Sequence, residues 1–71
     1  MQALPDDFAD ALTQVIDPAQ RGAAAEIIEA AALLDDAALR RFLQMLAVRI
    51  RASEMPVRAD ELRTFLRQAA V

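Results

Sequence analysis

Apolar residues recur every three or four positions along most of this chain, and three short interruptions break the rhythm: Asp17-Pro18, Asp35-Asp36 and Met55-Pro56. At 100° per residue that spacing gathers the apolar side chains on one helical face. The interruptions are of the kinds that end helices. Proline disfavours helical geometry in the residue before it, so Asp17 and Met55 fall outside helices. Aspartate before an apolar run caps a new helix and suits its positive end. The pattern therefore predicts an all-α fold, a compact bundle of four short helices over about 6–16, 18–34, 36–52 and 59–70.

Each segment has a readable inward face. In the first, which opens on Pro5-Asp6-Asp7, it is Phe8, Ala11, Leu12, Val15 and Ile16. In the second it is Gln20, Ala24, Ile27, Ile28, Ala31 and Leu34, with Glu26 and Glu29 opposite and Gly22 weakening the first turn. In the third it is Leu39, Phe42, Leu43, Leu46 and Ile50. In the fourth it is Leu62, Phe65, Leu66 and Ala69. The segments Leu39-Arg40-Arg41-Phe42-Leu43 and Leu62-Arg63-Thr64-Phe65-Leu66 echo each other. Generic amphipathic patterning accounts for the echo.

Length limits what this pattern can support. Seventy-one residues form one domain, 1–71, which buries only about 60% of the surface its unfolded chain exposes. Small folds often add disulfides, a metal or a second subunit. With no Cys and no His, disulfides are ruled out and a structural zinc site is not expected. Self-association, as a homodimer, is the device left.

The same inventory argues against catalysis. Without His, Cys, Lys or Tyr, the nucleophiles and bases reduce to Ser53, Thr13, Thr64 and carboxylates. Ser53 reads as a helix-end residue, and the pairs Asp6/Asp7 and Asp35/Asp36 read as caps. No calcium loop and no Gly-rich phosphate cradle is present. The expectation is a protein that is not an enzyme and holds no cofactor or metal.

Signals for location and partners are weaker. The first residues have no basic and apolar pattern of a signal peptide, and the apolar stretch from Ala23 to Leu34 is too short to span a bilayer and is interrupted by Glu26 and Glu29. A cytoplasmic site with no membrane partner is expected. The Ala and Arg bias suggests a GC-rich bacterial or phage gene. Charge is segregated: residues 1–36 carry eight acids against one Arg, a net −7, and residues 37–71 carry seven Arg against three acids, a net +4. Either the halves neutralise each other, within one chain or between two, or the second half offers a basic surface.

Two surfaces are candidates. On the third helix Met45, Val48 and Ala52 form a second apolar stripe, roughly opposite the inward face and flanked by Arg41 and Arg49. Either this is the central helix, buried on two sides, or the stripe is a protein interface. Met and Arg are enriched at interfaces, and the reading adopted is a partner-binding surface of Arg41, Met45, Val48, Arg49 and Ala52. The expected function is a small regulator, inhibitor or adaptor that binds another protein of a larger assembly. The alternative is nucleic-acid contact through Arg40 and Arg51 on one helix and Arg63 and Arg67 on the next. Overall acidity, core positions for all three Phe, and Asp36 and Asp60 poised to pair with Arg40 and Arg63 argue against it.

Overall fold

A computed structural model describes residues 8–71, which form four α-helices: α1 Phe8–Val15, α2 Ala24–Ala32, α3 Asp36–Ala52 and α4 Ala59–Ala70. A 3₁₀ segment, Pro18–Ala23, leads into α2. No strand is present among the described residues, so the all-α bundle expected from the apolar spacing is the observed architecture. The expected helix start at Asp6, and Asp7 with it, lies outside the described residues.

The breaks act as their chemistry requires. Asp35 has extended backbone, and its carboxylate accepts the Ala38 N–H at 2.8 Å, so α3 begins with an orphan donor satisfied. Asp17 likewise accepts the Ala19 N–H at 3.0 Å. Here the outcome differs from a continuous helix over 18–34. The Gln20 N–H turns back to the Asp17 carbonyl at 2.7 Å, and Gln20 itself leaves helical geometry at φ −120°, ψ 17°. Its side chain explains the departure: Oε1 accepts the Ala59 N–H at 2.8 Å, so Gln20 caps the first turn of a different helix. The second helix therefore starts only at Ala24. It ends in tight turns in which the Leu33 and Leu34 amides bond to the Ala30 and Ala31 carbonyls.

The core joins all four helices. Phe8, Leu12 and Ile16 meet Ala24, Ile27 and Ala31, and α3 adds Leu39, Phe42 and Leu46. α4 adds Ala59, Leu62 and Ala69, while Ile28 packs at the margin with Val15 and Leu34. The Phe8 and Phe42 rings stack edge to face with centroids 6.4 Å apart. Val57, a lone apolar residue after Pro56, is fully buried. It pairs in parallel with Ile16: the Asp17 N–H donates to the Val57 carbonyl and the Val57 N–H to the Val15 carbonyl, both at 2.8 Å.

Two inward faces need correction. Ala11 is exposed on α1, and Ile50 is 42% exposed at the last turn of α3. Ala38 is buried instead. The buried sector of α3 is thus rotated toward Ala38 and Met45 and away from Ile50, because α4 packs along that flank.

Candidate functional site

Between α3 and α4 lies an open groove of about 490 Å³, lined by Arg41, Gln44, Met45, Val48, Arg49, Phe65 and Gln68. Its floor is apolar. Met45 and Phe65 are half-buried against the core, and Val48 stands on the rim with 63% of its surface exposed. Four of the five residues of the stripe expected to bind a partner line this groove. The fifth, Ala52, is exposed on α3 beyond it. The stripe is not on the far side of α3 from the core. It occupies the flank that faces α4, which is why Met45 is partly covered while Val48 is not.

The two arginines are fixed in place by their own chain. Arg41 donates from Nε at 3.1 Å and from Nη2 at 2.6 Å to the Ala69 carbonyl, one of the carbonyls that the end of α4 leaves without a helical partner. Arg49 forks onto the Glu61 carboxylate, Nε to Oε1 at 2.7 Å and Nη2 to Oε2 at 3.3 Å. It also reaches the Met55 carbonyl at 3.3 Å and the Pro56 carbonyl at 3.4 Å. Glu61 in turn accepts the Arg58 N–H at 3.0 Å, the returning half of a capping box. The hydrogen bonds from Arg49 and from the Arg58 amide hold the Glu61 carboxyl below its ordinary range, and the same bond to Glu61 raises Arg49. The arginine stems therefore form stiff walls of the groove, with their heads anchored at either end of α4.

The arginines of the alternative reading are scattered. Arg40 and Arg51 are exposed on the outer face of α3. Arg63 pairs with Glu26 at 3.8 Å and Asp60 at 3.5 Å, and Arg67 donates to the Thr64 hydroxyl at 3.2 Å. The expected Asp60–Arg63 pair forms; Asp36 and Arg40 are not joined by an ion pair among the described residues. Two pairs, Glu26–Arg63 and Asp17–Arg58 at 3.5 Å, cross from the acidic half of the sequence to the basic half. Part of the charge segregation is thus neutralised within one chain.

Gln44, Gln68 and Phe65 are not among the expected partner-binding residues. Phe65 is legible as an inward residue of the fourth helix. Its place on the groove floor depends on which flank of α3 that helix covers, which its own periodicity does not specify. No helix among the described residues is long and apolar enough to cross a membrane. No protein-family model matches the chain, and neither the curated proteins nor the solved structures contain a significant match to it.

Proposed function

We propose that this protein is a protein-interaction module and not an enzyme, and that it docks its partner in the groove between α3 and α4. The observation that carries this reading is an apolar floor of Met45 and Phe65, with Val48 at its rim, between two arginines whose heads are already anchored. Anchored walls lower the entropy cost of binding, and a flexible Met on the floor adapts to what is laid on it. Such a module acts as a regulator, inhibitor or adaptor of a larger bacterial or phage assembly, and self-associates. The dispersed Arg40, Arg51, Arg63 and Arg67 offer no comparable phosphate-binding stripe.

The test compares proteins retained from host lysate by the wild type, by Val48→Glu and by Arg40→Ala/Arg51→Ala, read by quantitative mass spectrometry. A partner kept by the arginine variant and lost by Val48→Glu is the expected result. Retention that Val48→Glu leaves intact, or nucleic acid retained in a steeply salt-dependent way and lost with the arginines, overturns the reading.

A further inference from the structure

The groove has a chemical counterpart on the same molecule. At the turn between α2 and α3, Leu33 is 88% exposed, far more than any apolar side chain of the core margin. Acids surround it in sequence. Glu29 lies one turn back on the α2 surface, and Asp35 and Asp36 follow closely, all three exposed. The Leu33 turn is therefore an apolar knob in an acidic collar.

The groove is the converse, an apolar floor whose lining contains two arginines and no acid. Arg49 has its charge matched by Glu61. Arg41 binds only a carbonyl among the described residues. The end of the groove nearest the α4 C-terminus thus holds a guanidinium that faces a helix end and pairs with no carboxylate among the described residues. An apolar floor beside an arginine suits an apolar side chain ringed by acids.

We infer that the occupant of the α3/α4 groove is the Leu33 turn of a second copy of this chain. Leu33 enters over the floor of Met45 and Phe65 beside Val48, and Glu29, Asp35 and Asp36 meet Arg41 at the rim. The inference rests on reading the groove as a docking surface and adds its occupant. Knob and groove are different parts of one surface, so every chain has one of each, whether two copies exchange them about a two-fold axis or pass them head to tail. This gives the proposal a signature that a patch packed against its own copy lacks. A Leu33→Asp chain keeps its groove and loses its knob, and a Val48→Glu chain keeps its knob and loses its groove. Neither associates alone. Mixed, they form one contact per pair and no more.

Sedimentation equilibrium reads this directly, with circular dichroism to establish that both variants stay helical. Both positions are exposed, so neither substitution removes core packing. The wild type is expected to rise above 7.8 kDa with concentration, while each variant alone stays at 7.8 kDa. The equimolar mixture should rise to twice that mass and stop. The milder Leu33→Ala should weaken wild-type association by roughly tenfold or more, and added salt should weaken it further. A wild type that remains monomeric to about 1 mM, variants that associate on their own, or a mixture that stays monomeric overturns the inference. If the wild type is monomeric and Val48→Glu nevertheless loses a lysate partner, the groove stands as a docking site and the second copy is not its occupant.

Discussion

The segments Leu39–Leu43 and Leu62–Leu66 have the same arrangement of Leu, Phe and Leu, yet they end in different surroundings. In α3, Leu39 and Phe42 are buried, and Phe42 is covered by the Phe8 ring. In α4, Leu62 is fully buried, but Phe65 is only half-buried and forms the groove floor. The difference lies in the neighbours. The Phe42 side of α3 meets α1 as well as the rest of the core, whereas Phe65 lies at a margin where α3 is the last helix. An amphipathic pattern specifies which side of a helix turns inward. The number of elements that cover that side is a property of the assembly.

Truncating each phenylalanine should separate the two surroundings most clearly. Phe42→Ala should cost about 3–5 kcal/mol, since its ring is fully buried and its removal opens a cavity, and a chain this small has little stability to spare. Phe65→Ala should cost about half that or less, because its ring already borders open space. Urea denaturation followed by circular dichroism ranks the two. Equal losses would mean that Phe65 is core and the groove is closed in solution.

A second, smaller effect concerns the clamp that holds the start of α4 against α3. The hydrogen bonds from Arg49 and the Arg58 amide depress the Glu61 carboxyl in the folded protein. A depressed carboxyl contributes stability that is fully present above its unfolded value, about 4.5, and is lost as pH falls through the lower folded value. The wild type should therefore lose stability on acidification below about pH 4.5, and Glu61→Gln should show a shallower loss over that range. Parallel melting curves for the two proteins across that range would show that the clamp contributes nothing. The smallest effect is expected at the groove rim, where Val48→Glu should change stability by no more than about 0.5 kcal/mol. A large loss there would place Val48 in the core and sharpen the contrast between α3's two flanks in the opposite sense.

What is legible in the sequence depends on the range over which each signal acts. The third and fourth helices can be read to their ends from local signals: Asp35 caps the start of α3, and Pro56 keeps Met55, between the two helices, out of helical geometry. The second cannot. Asp17 and Pro18 announce a helix start, but the Gln20 side chain is drawn to the Ala59 amide, 39 positions away, and the backbone at Gln20 follows it. Val57 gives no signal for a related reason: a single apolar residue between Pro56 and Arg58 has no periodicity, and only its pairing with Ile16 accounts for its burial. At the site, the apolar stripe on the third helix is evident from spacing. Its arginines, which chemistry suits to acids on another molecule, instead bind Ala69 and Glu61 of their own chain. Those partners come from α4, whose position beside that flank no local rule supplies.

The short parallel pairing of Ile16 with Val57 has a consequence for how the chain comes apart. It ties the end of α1 to the residue just before α4 and closes a loop that contains both α2 and α3. Closing a loop of that length costs entropy, so the pairing is a non-local contact that depends on the elements it encloses. Once formed, it removes the option of piecemeal loss at that junction. Freeing the last turn of α1 also exposes the buried Val57 and releases the entry to α4, so two distant ends of the bundle open as one cooperative unit.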